Sequence, residues 1–130
     1  MATRRPDIRL VREEGFTYEI PGVGEMIWNV ALAKALIASR YVEEVTLEPS
    51  EMQAIAERSS YDEAHLKDVD PAIPGIGAPM IWEGQIIYVL IDGIHRCVRA
   101  LREQRPFLAR LLTDEDARLC VVSAPAGLIP

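Results

Sequence analysis

The chain has 130 residues, 49% of them hydrophobic and 26% charged, so it can bury one packed core and is not a largely disordered protein. Aromatic residues make up only 6%, which predicts a mainly aliphatic core. The formal net charge of −6 argues against general affinity for DNA or RNA, which requires a basic surface to displace counterions.

The first residues are arginine-rich but have no long apolar run behind them, so they do not read as a secretory signal. Two strand-like pieces follow, residues 8–13 (IRLVRE) and 16–20 (FTYEI), separated by Glu14 and Gly15. After a turn at residues 21–24, Met26, Val30, Ala33 and Ile37 recur at helical spacing, widened by Ile27, Leu32 and Leu36. This pattern predicts a helix over residues 25–39, with an apolar face broad enough for burial or for a partner. Asn29 and Lys34 interrupt the segment, and it is too short for a membrane span, so a cytoplasmic protein is expected.

Residues 42–49 (VEEVTLEP) read as a strand ending at Pro49. Ser50 is the expected N-cap of the next helix, with Glu51 at its positive end, and Ser60 that of a short helix over residues 61–69. Residues 70–79 hold three prolines and two glycines and are expected to form an irregular loop. A hairpin is expected around Glu83-Gly84, and the apolar run 86–91 suggests a strand covered on both faces. A helix to about residue 104, a strand over 106–113, a turn at 114–117 and a last strand at 118–122 complete an α+β pattern with a mixed sheet.

The segment from Asp92 onward carries the chemistry. Ile94, Cys97, Val98 and Leu101 form a core-facing stripe, while His95, Arg99 and Arg102 share one flank. Between His95 and Arg110 the chain has five arginines (96, 99, 102, 105 and 110) and a single acid, Glu103. A helix start offers unpaired amides and the positive end of the helix dipole. Gly93 allows close approach of a ligand, and arginine supplies a fork suited to phosphate or carboxylate. An anion site is therefore expected here, with Asp92 capping the helix, orienting His95 or Arg96, or holding a metal. The plainer alternative is a solvated arginine face behind an Asp-Gly turn.

The stretch YVLIDGIHRCVRAL (residues 88–101) resembles the signature of the ParB/sulfiredoxin superfamily, in which a strand leads through Gly-x-His-Arg into a helix. VEEVTLEPSEMQAIAERS resembles that family's opening strand and helix, GAPMIWEGQIIYVLIDG its hairpin and central strand, and RPFLARLLTDED the strand after the signature helix. The resemblance implies a single ParB/sulfiredoxin-like domain over residues 42–130, a mixed sheet with flanking helices, preceded by an N-terminal extension over 1–41. It also implies a bound nucleotide (ATP, ADP or CTP), possible Mg²⁺ and phosphoryl-transfer chemistry. Gly93, His95 and Arg96, with Arg99 one turn on, would contact the nucleotide, and Asp92 would serve the metal or act as base. In the kinase-like branch a carboxylate near Glu48 and Glu51 acts as base, against the plainer reading of a charged helix start.

Departures from the family narrow the chemistry. Sulfiredoxins carry a nucleophilic cysteine directly before the His-Arg pair, where this chain has Ile94. Cys97 sits on the core stripe and is expected to be inert. Partition proteins continue into a helix-turn-helix module that these 130 residues do not contain, so a DNA-binding partition role is not expected. His65 reads as a surface residue, and the two histidines and two cysteines lack zinc-ligand spacing. No nucleophile elbow or phosphate loop is present; PGIG and PGVG are expected to set backbone turns, with PGIG as a candidate lid over the site. The leading expectation is a nucleotide- or phosphate-binding protein. The alternative is a non-catalytic interaction or regulatory module acting through a protein partner or as a homodimer.

Overall fold

A computed structural model describes residues 15–130, so the expected strand at residues 8–13 lies outside the described residues. Strands β1 (Gly15–Ile20) and β2 (Gly24–Asn29) form an antiparallel hairpin, with Phe16 opposite Trp28 and Tyr18 opposite Met26. Residues 25–29 were expected in a helix and are instead strand. Met26 and Trp28, two apart, are both fully buried, and only the period of a strand puts both on one face. Asn29 ends the strand. Its side chain accepts a hydrogen bond from the Leu32 amide at 3.0 Å and caps α1 (Val30–Ser39). Val30, Ala33 and Ile37 of α1 are buried, and Leu32 and Leu36 pack against the core. The apolar face that the sequence offered to a partner is turned largely inward.

The second sheet has four strands in the order β3–β6–β4–β5, where β3 is Glu44–Leu47, β4 Gly75–Trp82, β5 Gln85–Asp92 and β6 Phe107–Leu111. β4 and β6 run parallel and the other pairs antiparallel, giving a mixed sheet. Between β3 and β4 lie α2 (Pro49–Arg58) and a 3-10 helix (Glu63–Asp68). Pro49 occupies the first position of α2, where its missing amide costs nothing, so the N-cap is Glu48 and not Ser50. Asp62, not Ser60, caps the 3-10 helix, its carboxylate accepting from the Ala64 amide at 3.0 Å.

Residues 75–79, expected as loop, are the first half of β4. The glycines there serve close packing: a side chain at Gly75 would put its Cβ 2.7 Å from the Asp92 carbonyl oxygen. β5 also departs from expectation. Val89 and Ile91 are buried, but Ile86, Ile87 and Tyr88 are 53%, 36% and 47% exposed, because β5 is an outer strand. The hairpin connection at Glu83-Gly84 is as expected.

α3 (Ile94–Arg102) joins β5 to β6. α4 (Asp114–Cys120) is capped by the Thr113 hydroxyl, which accepts from the Asp116 amide at 3.1 Å; it takes residues 118–120 out of the expected last strand. β7 (Val121–Ser123) then pairs with β2 and completes a three-stranded sheet. One core cluster joins Met26 and Trp28 to Ala33, Met80, Ile91, Ala117 and Cys120, so both sheets, α1 and α4 close on the same apolar centre. A smaller cluster of Met52, Cys97, Ala100 and Phe107 seats α2 and α3 against β6. Each large side chain so buried contributes about 1.5–3 kcal/mol by its transfer from water. Among the described residues no helix is long and apolar enough to cross a membrane.

Candidate functional site

Asp92 ends β5, and Gly93 turns the chain into α3 with φ +97° and ψ 20°. That left-handed conformation is strained for any residue with a Cβ. Space forbids one as well, since a Cβ here would lie 3.0 Å from the Gly75 Cα and 3.3 Å from the Phe107 ring. No side chain caps α3. Its first backbone bond runs from the Cys97 amide to the Gly93 carbonyl at 2.8 Å, leaving the amides of Ile94, His95 and Arg96 as the unpaired donors of a helix start.

The charged side chains turn away from those amides. Arg96 donates to Asp92 Oδ2 at 2.8 Å and to the carbonyls of Pro74 at 3.0 Å and Ile73 at 3.3 Å. Of the roles open to Asp92, the one seen is to orient Arg96. Arg99 donates to the carbonyls of Lys67 at 3.0 Å and Val69 at 2.7 Å, satisfying the end of the 3-10 helix, and pairs with Glu103 at 3.0 Å. Arg102 pairs with Glu63 and donates to the Tyr61 hydroxyl at 3.1 Å. His95 Nε2 accepts from the Asp62 amide at 3.0 Å, which puts the proton of the neutral ring on Nδ1. Burial holds the His95 pKa below its ordinary value, His65 adds to the depression, and Asp62 opposes it. The two histidine rings meet edge to face at 4.8 Å.

Four residues of α3 thus fasten residues 61–74 to the helix. The local excess of arginine has its partners in Asp92, Glu63, Glu103 and main-chain carbonyls, while Arg110 pairs with Glu44 at 3.1 Å. Those carbonyls could not be foreseen, because a main-chain acceptor leaves no residue-type signal.

Two cavities open at the turn. One, of about 290 Å³, lies over the start of α3 and is lined by Gly15, Phe16, Val30 and Ser60 together with residues 91–95. The other, of about 510 Å³, is lined by Lys34, Arg96 and Arg110 with Asp70 and Asp92. Asp92 belongs to both. Ser60 and Lys34 join the site from distant parts of the chain, and nothing local marked them for it, whereas Arg110 closes the arginine run that the sequence shows. Pro74, Gly75 and Ile76 of the PGIG stretch line the larger cavity, the last two as the first residues of β4 and so not as a separate lid. Glu48 stands apart: its amide donates to Glu51 Oε1 at 2.8 Å at the start of α2, and it lines neither cavity.

Cys97 is fully buried, and burial pushes its thiol up to about 11. Among the described residues no group of three or more His, Cys, Asp or Glu is placed to hold a metal ion. The chain matches no protein-family model, and neither a curated protein nor a solved structure matches it.

Proposed function

We propose that the chain binds a phosphate-bearing small molecule at the start of α3, and that its ligand is a nucleotide, as the resemblance to the ParB/sulfiredoxin superfamily implies. One observation carries this reading: the uncapped helix start behind left-handed Gly93 opens on a cavity of about 290 Å³, with Ser60 on its wall. The amides of residues 94–96 and the helix dipole favour an anion there. His95 and Ser60, which both line that cavity, are the side chains available to donate to the anion. Arg96 and Arg99 act as braces that hold the turn and the segment over it. Asp92 spends Oδ2 on Arg96, and its other oxygen is the group a nucleotide-bound Mg²⁺ would use. The four-stranded mixed sheet with α2 and α3 is the part of the fold that suits the ParB/sulfiredoxin reading. A cytoplasmic location accords with a nucleotide ligand. Phosphoryl transfer would draw on Asp92; Glu48, at the start of α2, is the weaker candidate.

Titration calorimetry of the chain with ATP, ADP and CTP, with and without Mg²⁺, tests the reading. Ser60→Asp places a negative charge on the cavity wall at an exposed position and should reduce nucleotide affinity at least tenfold without loss of folding. Binding unchanged by Ser60→Asp would move the ligand away from this turn. A second reading, a non-catalytic module working through a protein partner, is favoured by the exposed apolar residues of β5.

A further inference from the structure

The cavity over the start of α3 adjoins a second one of about 370 Å³, and Phe16, Ser60 and Ile94 line both. The walls of the second cavity come from β1, from β5, against which β1 packs, and from the C-terminal end of α2. Taken together the two fall within the roughly 300–1,000 Å³ of small-molecule sites. β1 belongs to the N-terminal extension, outside the stretch that resembles the ParB/sulfiredoxin superfamily, so the resemblance assigns it no part in binding.

The second cavity is apolar within and polar at its rim. Tyr18, Ile55 and Leu90 line it half-buried, while Glu19 and Arg58 line it from exposed positions. Arg58 spends its Nε on the Ala54 carbonyl at 3.2 Å and keeps its terminal nitrogens as donors; Glu19 offers an acceptor. One carboxylate and one guanidinium leave this lining without net charge, so it has no preference for a second phosphate. It suits a flat, uncharged group with apolar faces and hydrogen-bonding edges, and a nucleobase is such a group. An alkyl chain would use the apolar wall but has nothing to match the rim.

We propose that the nucleoside end of the ligand lies in this second cavity. The phosphates take the start of α3, the sugar lies at the junction by Ser60, and the base lies against Tyr18 and Leu90 with its polar edge toward Glu19 and Arg58. The N-terminal extension thereby selects the ligand through β1. This inference rests on the phosphate-binding reading of the α3 start and adds to it where the rest of the nucleotide goes.

Calorimetry of the full chain with Mg²⁺ compares ATP and CTP with inorganic triphosphate, which carries the phosphates and no nucleoside. The better-bound nucleotide should bind at least tenfold more tightly than triphosphate. Tyr18→Leu keeps an apolar side chain but removes the aromatic face; it should lower affinity for that nucleotide at least fivefold and leave affinity for triphosphate unchanged. An analogue of the same nucleotide with an azide on its base should, on irradiation, label residues 16–19 or 87–90 of the unaltered chain, which decides the matter if Tyr18→Leu fails to fold. Equal affinity for nucleotide and triphosphate, an unchanged nucleotide affinity in folded Tyr18→Leu, or labelling confined to other segments would overturn the inference while the phosphate reading stands. If neither nucleotide nor triphosphate binds, the phosphate reading itself falls and takes this inference with it.

Discussion

The guanidinium of Arg96 meets the carboxylate of Asp92 at 2.8 Å across Gly93, and the same side chain reaches the carbonyls of Ile73 and Pro74. One arginine therefore ties together the end of β5, the first turn of α3 and the approach to β4. The pair is mostly shielded, with side chains 15% and 21% exposed. Arg96→Ala should lower folding stability by about 1.5–3 kcal/mol, the worth of a charge-assisted contact in such a setting. Arg102→Ala breaks a solvent-exposed pair with Glu63 and should leave the urea midpoint nearly unchanged. Urea unfolding of both variants checks the contrast, and equal effects would mean that the turn has no special structural part.

Gly93→Ala should destabilise by about 1–3 kcal/mol, since it adds left-handed strain and also forces a Cβ against Gly75 and Phe107. Gly84→Ala meets the same kind of strain at φ +76° but has open space around it, so its cost should be the smaller of the two. Thermal unfolding of the two variants side by side separates packing from backbone conformation.

Both cysteines should resist thiol reagents in the native chain. Cys97 and Cys120 are fully buried, and their thiols are pushed up to about 11 and about 12 by burial, with Asp116 adding to the effect at Cys120. A colorimetric disulfide reagent at neutral pH should label neither until urea is added. Rapid labelling of Cys97 would mean that α3 is rotated from the orientation described.

His95 should make the protein weaker in acid. Its pKa in the folded chain lies below the ordinary 6.5, so the unfolded chain binds the proton more readily. The stability it contributes is present above pH 6.5 and is lost as pH falls through the folded value. Protonated Nε2 can no longer accept from the Asp62 amide, so that amide should exchange faster with solvent over the same window. His95→Gln should flatten the pH dependence of the urea midpoint; an unchanged profile would assign the acid sensitivity elsewhere.

Arg40, just past the end of α1, donates to the fully buried carboxylate of Asp116 on α4 at 2.8 Å. Arg40→Ala strips a buried charge of that partner and should cost about 1–3 kcal/mol even though Arg40 itself is half exposed. Chemical denaturation of Arg40→Ala beside Arg110→Ala, which breaks a half-exposed pair with Glu44, would show whether the effect belongs to the buried carboxylate.

Where one local pattern dominates, the residues decide the structure without help. The apolar run before Asp92, the glycine after it and the stripe of Ile94, Cys97, Val98 and Leu101 are enough to specify strand, turn and helix, and they come out as read. The same holds for the hairpin at Glu83-Gly84, whose turn chemistry lies within two residues. Residues 25–29 are different, because Met26, Ile27, Trp28 and Val30 fit both a helical and an alternating pattern. Pairing with β1 and β7 settled that ambiguity. Residues 75–79 look like a loop by their glycines and prolines, and become strand because β5 and β6 flank them closely enough to require small residues. The candidate site divides in the same way. Its helix start is local and legible. Arg96 meets Asp92 four residues away, but most of the other acceptors are not legible, because Glu63 and the carbonyls of residues 66–74 reach α3 only once the chain has folded back. A partner distant in sequence is fixed only by tertiary contacts, and here those contacts turned an apparent basic patch into a set of braces.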